Sequence, residues 1–365
     1  MPKIKIVIAG GGTGGHVYPG IAIAQELKRL QPDCEITFVG TKHRIESRIV
    51  PKEGFPFKSI WVLPFSRRFH WRTVLFVPVL LVGIIQSFFF LRRYRPAVVV
   101  GTGGFVSGPV LVAAHGLGIP TLIQEQNSLP GITNKLFAKY ASEIHVSFEQ
   151  SRRYFKRAGV FMTGNPVRSA PPNMTPVRAK TIFQLDPQRP VLLVVGGSQG
   201  AHAINQVVGQ ALAHLDPNLQ LIWQTGRADY EWVRSVAEPF AGRVIVRDFI
   251  YNMEEAYLAA DVALCRAGAT TIAELMLYGC PAILVPFPQA AENHQELNAQ
   301  SLVEEGAAVL LRQSELTPET LLSQLQHLLD HPRQLEEMSF HLRHLSRPDA
   351  ANQIAKRILY YAGEF

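Results

Sequence analysis

Ile4-Lys5-Ile6-Val7-Ile8-Ala9-Gly10-Gly11-Gly12-Thr13-Gly14-Gly15-His16 runs into an amphipathic stretch, Ile21 to Leu30. An apolar run, a glycine turn and a helical pattern in that order predict a strand that hands the chain to a helix N-terminus, with an imidazole at the turn. Glycines let the backbone come close to a phosphate, and the unsatisfied N–H groups and dipole of a helix N-terminus favour an anion. The turn points to a diphosphate-bearing ligand.

The second half repeats the device in Val191-Leu192-Leu193-Val194-Val195-Gly196-Gly197-Ser198-Gln199-Gly200-Ala201. Candidate strands before it are Lys5–Ala9, Glu35–Val39, Phe57–Val62, Ala97–Gly101, Pro120–Gln124 and Glu143–Ser147; after Val191–Gly196 come Gln220–Gln224, Val244–Arg247, Val262–Cys265 and Pro281–Val285. Strands alternating with helical patterns in both halves predict an α/β chain of two doubly wound, Rossmann-like domains whose turns face a cleft. Residues 165–190 hold Pro166, Pro171, Pro172, Pro176, Pro187 and Pro190, the composition of a linker. The expected division is therefore 1–164, a linker over 165–190, a second domain over 191–340, and a helical segment over 341–365 able to pack back on the first domain.

A chain of 365 residues with 47% hydrophobic content can fill two such cores, at roughly 150 residues per domain. Cys34, Cys265 and Cys280 are odd in number and lack C-x-x-C spacing, so neither a disulfide framework nor a zinc site is implied. The net charge of +7 suggests a polyanionic surface or ligand without choosing among nucleic acid, an acidic membrane and a phosphorylated substrate. Met1-Pro2-Lys3 leads straight into the first strand, so no secretory signal is expected and the chain is expected in the cytoplasm.

Gly10, Gly12 and Gly15 satisfy G-x-G-x-x-G, but a dinucleotide site also needs an acid ending the second strand, and Phe38-Val39-Gly40-Thr41 has none. No G-x-x-x-x-G-K-[ST] string occurs, which disfavours an ATPase. Close helix–strand packing could explain two or three of the glycines, though not Thr13 and His16 beside them.

Six motifs follow one another in order: Gly11-Gly12-Thr13-Gly14-Gly15-His16, Gly101-Thr102-Gly103-Gly104-Phe105-Val106-Ser107-Gly108-Pro109, Glu125-Gln126-Asn127, Gly164-Asn165-Pro166-Val167-Arg168, Gly196-Gly197-Ser198-Gln199-Gly200-Ala201 and Cys265-Arg266-Ala267-Gly268-Ala269. Together they resemble the MurG family of N-acetylglucosaminyltransferases, over essentially the whole chain. The resemblance implies a GT-B fold and transfer of GlcNAc from UDP-GlcNAc to the C4 hydroxyl of an undecaprenyl-diphosphate-linked MurNAc-pentapeptide, the conversion of lipid I to lipid II. It further implies a single inverting displacement without a cofactor. Gln124 departs from the His that the family often carries there, and no role is assigned to it.

Such a transfer needs the leaving diphosphate stabilised and a base for the attacking hydroxyl. The chain contains no Asp-x-Asp to hold a metal, which leaves backbone N–H groups, helix dipoles and Arg. By resemblance, Ser198 and Arg168 meet the donor phosphates, Ile250 meets uracil through its backbone, Glu274 accepts from the ribose hydroxyls and Gln295 serves the sugar hydroxyls. The segment Ala269, Thr270, Thr271, Ile272, Ala273 joins Glu274 in the donor site. Thr13, Gly14, Gly15 and Asn127 help bind the donor sugar or the acceptor, and Gly12, Thr13, Gly103 and Gly104 are assigned to the acceptor diphosphate. Glu274 could instead be an ordinary amphipathic-helix residue and Gln295 a solvated one.

His16 is the candidate general base. A helix N-terminus lowers an imidazole's pKa and would keep it neutral near pH 7. A histidine there could also cap the helix or bind acceptor phosphate. Glu125 could orient Asn127 or be an alternative catalytic base.

Val74 to Leu91 is apolar except for Gln86 and Ser87, between Arg67, Arg68, Arg72 and Arg92, Arg93, Arg95. A membrane span needs about 20 apolar residues at about 1.5 Å each, so the segment is a borderline candidate. A single crossing, however, would part the preceding strands from Ala97–Gly101. The reading adopted is a crossover helix, started or kinked at Pro78, with one face on the sheet and the other on an anionic membrane surface; Arg152, Arg153, Lys156 and Arg157 could extend its basic rim. The expected location is peripheral, on the cytoplasmic face of the bacterial inner membrane. The rivals are a lipid glycosyltransferase or UDP-sugar epimerase of the same architecture, and a non-catalytic nucleotide-sugar-binding protein. Nucleic acid is disfavoured, since the basic residues collect around an apolar helix rather than exposed aromatics.

Overall fold

The structure is a computed structural model that describes residues 3–63, 71–156, 159–168, 171, 173–197, 199–290 and 293–364, with backbone alone over 71–75. The chain forms two compact units, one of Met1–Val167 with Arg347–Phe365 and one of Arg168–Ser346.

In unit 1 the strands are β1 (Lys5–Gly10), β2 (Glu35–Gly40), β3 (Phe57–Ser59), β4 (Val98–Gly103), β5 (Thr121–Glu125), β6 (Glu143–Val146) and β7 (Val160–Met162). They form one parallel sheet in the order β3-β2-β1-β4-β5-β6-β7. Alternate residues of β1 go to opposite faces, the period of a strand buried on both sides. Ile6 and Ile8 pack with Ile21 and Leu27 of the Gly14–Leu30 helix and with Ile354 and Ile358 of the Ala350–Tyr361 helix, while Val7 and Ala9 pack with Leu91, Val110 and Leu111 on the other side. Connections leave β1 towards β2 on one side and resume at β4 on the other, so the carboxyl ends of β1 and β4 flank the switch point where such sheets bind ligands.

Unit 2 repeats the plan with β8 (Val191–Val195), β9 (Gln220–Gln224), β10 (Val244–Arg247), β11 (Val262–Cys265), β12 (Ala282–Leu284) and β13 (Ala308–Leu310), in the order β10-β9-β8-β11-β12-β13. Its core joins Leu192, Val194, Trp223 and Leu264 to Ile204, Val208, Leu321 and Leu325, and its switch point lies between β8 and β11.

Three details differ from the sequence reading. β7 and β13, of three residues each, are not among the candidate strands, and β3, expected over Phe57–Val62, is also only three residues long. The segment 165–190 is not a bare linker: from Arg168 it belongs to unit 2, and it contains the Pro176–Ile182 helix, where Pro176 occupies the first turn and Thr175 Oγ1 accepts from Arg178 N at 3.2 Å. The C-terminal pattern is two helices rather than one. Pro332–Leu345 stays in unit 2 and Ala350–Tyr361 in unit 1, divided at Ser346-Arg347-Pro348, where the proline disfavours helical geometry for the residue before it.

The helix before β4 spans Trp71–Tyr94, so Pro78 lies inside it instead of starting it. Phe76–Tyr94 is long and apolar enough to cross a membrane, yet its strands β3 and β4 belong to the same sheet. Gly83, Ser87 and Leu91, four apart, are buried, whereas Val77, Leu81, Ile85 and Phe89, also four apart, are exposed, Phe89 by 65%. A fully buried helix is thereby ruled out. Arg92 and Arg93 are exposed at the end of this stripe. Arg67, Arg68, Arg157 and the Arg72 side chain lie outside the described residues.

Candidate active site

At the switch point of unit 1 the turn after β1 meets the turn after β4. A Cβ on Gly104 would stand 2.3 Å from Gly11 O, and one on Gly103 would stand 2.9 Å from His16 Nδ1; both glycines have positive φ, +78° and +97°. These two glycines therefore make room for backbone and imidazole, a reason independent of any phosphate. Thr13 is the exposed residue ahead of the Gly14–Leu30 helix, with Gly14 buried and Gly15 half-buried behind it.

Gly12 corrects the sequence reading. Its N–H donates to Glu46 Oε2 at 3.0 Å, and Glu46 Oε1 accepts from Thr41 N at 2.9 Å and Thr41 Oγ1 at 2.7 Å. Glu46 is fully buried, and its carboxylate occupies the amide of Gly12, a residue assigned to the acceptor diphosphate. A phosphate at Gly12 would lose that donor and face a like charge. The sequence gives no hint of this, because Glu46 lies beyond the end of β2 where an acid was sought and not found.

His16 is half-buried. Its Nδ1 is 3.1 Å from Gln126 Oε1, and Thr102 Oγ1 donates to its carbonyl at 2.7 Å. Gln126 Nε2 donates to Thr102 O at 2.6 Å and to Gln124 Oε1, and Gln124 Nε2 reaches Ser147 Oγ and Asn165 Oδ1, each at 3.2 Å. Gln124, left without a role above, thus links the Asn165 motif to the His16 motif.

Glu125 is held by the loop that follows it. Its carboxylate is buried and accepts from Asn127 N (2.9 Å), Gly131 N (3.0 Å) and Asn134 Nδ2 (2.8 Å), so both oxygens are engaged by the loop that follows β5. Burial pushes its pKa up and these hydrogen bonds oppose the shift. The geometry gives Glu125 the work of shaping the loop that carries Asn127.

At the switch point of unit 2, Ala269, Thr270, Thr271, Ile272, Ala273 and Glu274 form the first turns of the Ala269–Tyr278 helix, directly after β11. Thr270 Oγ1 is buried at this helix N-terminus without a hydrogen-bond partner among the described residues. Glu274 Oε2 accepts from Tyr257 Oη at 2.9 Å. Protein crowding around this carboxyl pushes its pKa up to about 7; the Glu254 charge adds to the rise, while the Tyr257 hydrogen bond and the Arg168 charge oppose it. Arg168 and Glu274 are thus brought into electrostatic reach, and Tyr278 Oη donates to Arg168 O at 2.8 Å. Ser198 lies outside the described residues.

Ile250 and Gln295 are held by other partners. The Ile250 N–H donates to Gln224 Oε1 at 2.8 Å, so in this geometry only its carbonyl is offered to a base such as uracil. Gln295 Oε1 accepts from Phe287 N at 2.9 Å, which leaves its amide nitrogen as the end that can donate. Arg266, quoted in the last motif without a role, is a buried guanidinium directly after β11 that donates to Val285 O (3.1 Å), Pro286 O (3.2 Å) and Gln313 Oε1 (2.7 Å), its pKa held down at about 10 by burial.

Comparison with known proteins agrees with this geometry. Residues 6–146 match the glycosyltransferase family 28 N-terminal domain and residues 191–354 the family's C-terminal domain. A UDP-N-acetylglucosamine–N-acetylmuramyl-(pentapeptide) pyrophosphoryl-undecaprenol N-acetylglucosamine transferase of Bacillus cytotoxicus is 40% identical over 96% of this chain and 97% of its own. The enzyme of the same name from Bacillus pumilus is 41% identical over the same shares. The crystal structure of Acinetobacter baumannii MurG superposes with a TM-score of 0.74 at 30% identity, over 98% of this chain and 100% of that one. A putative UDP-N-acetylglucosamine 2-epimerase from Listeria monocytogenes shares the fold, with a TM-score of 0.68 at 14% identity over 97% of this chain and 95% of its own. With two Rossmann-like sheets, a furnished switch point in each and relatives of this identity along nearly its whole length, the chain belongs to glycosyltransferase family 28 and, within it, to the MurG family.

Proposed function

We propose that this chain transfers GlcNAc from UDP-GlcNAc to the C4 hydroxyl of undecaprenyl-diphosphate-linked MurNAc-pentapeptide, converting lipid I to lipid II in peptidoglycan synthesis. The observation that carries this reading is the different equipment of the two switch points, in a chain of this family. Unit 2 offers Arg168, the Ala269 helix N-terminus and Glu274, suited to a phosphate and a ribose; unit 1 offers His16 at a glycine turn, suited to a proton transfer.

His16 removes the C4 hydroxyl proton as the oxygen attacks the anomeric carbon of the donor. The bond from that carbon to the β-phosphate oxygen breaks, its electron pair leaves with UDP, and the α-linked donor gives a β-linked product. Arg168 and helix dipoles stabilise the developing diphosphate charge. Glu274 accepts from the ribose hydroxyls, the Ile250 carbonyl meets uracil, the Gln295 amide nitrogen donates to the sugar, and Thr13, Gly14, Gly15 and Asn127 line the space around the reacting groups. Ser198 joins the phosphate contacts. The acceptor diphosphate is met by Thr13 and the turn after β4 rather than by the Gly12 amide.

The acceptor is carried in a membrane, and the exposed stripe Val77, Leu81, Ile85, Phe89 with Arg92 and Arg93 at its end suits shallow attachment to an anionic bilayer. Attachment to the cytoplasmic face keeps the helix on the sheet that it serves.

The test is turnover with UDP-GlcNAc and a lipid-linked muramoyl acceptor, with and without EDTA. The reading expects UDP release that requires acceptor and ignores chelation. UDP release without acceptor, or interconversion of the UDP-sugar with no transfer, contradicts it.

A further inference from the structure

We infer that Gln126 is a positioning residue that fixes His16 in its Nδ1–H tautomer, which makes Nε2 the basic nitrogen for the proton of the acceptor hydroxyl. The inference deepens the function proposed above and rests on His16 being the base.

The orientation of the Gln126 amide follows from its neighbours. Thr102 O, 2.6 Å from Gln126 Nε2, can only accept, so the NH2 end must face it and the oxygen must face His16. Gln124 enforces the same choice. Its own Nε2 is drawn to Asn165 Oδ1 and Ser147 Oγ, both at 3.2 Å, which turns its Oε1 towards Gln126 Nε2. Gln124 and Gln126 are both buried to within 1%, so neither amide has water to compensate a flip.

The tautomer then follows. Gln126 Oε1 has no hydrogen to give, and it lies 3.1 Å from His16 Nδ1; the proton of that hydrogen bond must belong to Nδ1. A neutral imidazole carries one ring hydrogen, so Nε2 is the basic nitrogen. Free histidine favours the opposite tautomer, and an imidazole held by its wrong nitrogen cannot take a proton with the other. A neutral amide also differs from a carboxylate in that position: it orients the ring without adding a negative charge beside the imidazolium that forms.

The experiment uses the full-length protein labelled with 15N-histidine, with His16 assigned by comparison with His16→Asn and long-range proton–nitrogen correlations recorded above about pH 8, where imidazole is neutral. The expected spectrum has His16 protonated at Nδ1. A wild-type His16 protonated at Nε2 overturns the inference whatever any variant does. In Gln126→Met, His16 should move towards the Nε2–H form, with kcat lower by about tenfold to a hundredfold and KM for UDP-GlcNAc unchanged within about twofold. A folded Gln126→Met protein that keeps the Nδ1–H form and the wild-type kcat also overturns it. The base reading fails separately, if His16→Ala retains turnover while the wild-type spectrum still reports Nδ1–H.

Discussion

Glu46 accepts the amide hydrogen of Gly12 across 3.0 Å and so supplies from within the protein the negative charge that a glycine turn ahead of a helix is built to receive. The same carboxylate holds Thr41 at the end of β2, so one buried side chain ties the β1 turn to its neighbouring strand. Glu46→Gln would set an NH2 group against one of these donors and leave a buried donor unsatisfied. We expect a loss of about 1–3 kcal/mol in urea unfolding followed by a probe in unit 1, with UDP binding by unit 2 unchanged. Unchanged unfolding would mean that the turn does not depend on this carboxylate.

Glu274 gives a pH dependence of defined sign. Its folded pKa of about 7 lies above the ordinary 4.5, with burial the main cause. Its contribution to the stability of the donor-free protein is therefore fully present below about 4.5 and lost as pH rises through about 7. In the proposed role Glu274 accepts from the ribose hydroxyls best when ionised, so UDP affinity should fall by up to about tenfold from pH 8 to pH 6, as the ionised fraction falls. Titration calorimetry of Glu274→Gln should give weaker binding without this slope; the wild-type slope persisting in the variant would assign it to another group.

Attachment to lipid should depend on the exposed stripe. Ile85→Glu with Phe89→Glu places two charges on the face proposed to enter the headgroup region, and flotation with anionic vesicles at low salt should be lost. Turnover of a water-soluble acceptor should remain near wild type, since neither residue lies at a switch point. Undiminished flotation would remove the stripe from the attachment surface.

The C-terminal helix is anchored to unit 1 by charge as well as by Ile354 and Ile358. Arg357 Nε lies 3.0 Å from both oxygens of Glu143, and Tyr361 Oη adds a hydrogen bond at 3.3 Å. Burial pushes the Glu143 carboxyl up, but the His145 imidazole 3.4 Å away, the Arg357 hydrogen bonds and the guanidinium charge bring it down to about 2. This contribution is present above the ordinary 4.5 and lost as pH falls through about 2. Arg357→Ala should lower amide protection in Ala350–Tyr361 by about 2 kcal/mol, roughly thirtyfold in exchange rate. Equal exchange would show that apolar packing alone holds the helix.

The architecture was legible wherever its cause was local. A run such as Ile4 to Ala9 followed by glycines declares a strand and a turn within a dozen residues, and that sufficed for both sheets. β7 and β13 escaped although the equally short β3 and β12 did not, and the Pro176 helix escaped because a proline in a first helical turn looks like a proline in a linker. The site divides the same way. His16 and Glu274 stand in recognisable turns, whereas the partners that define their chemistry come from a distance: Gln126 is 110 residues from His16, and Glu46 is 34 from Gly12. No local pattern announces such contacts, because the order of strands in the sheet creates them.

The most direct measurement is turnover and UDP binding by His16→Ala in the presence of the lipid-linked acceptor. The account predicts that UDP binds within about twofold of wild type while kcat falls by about 10²–10⁴-fold, the contribution of a positioned general base. Wild-type kcat in that variant would contradict it.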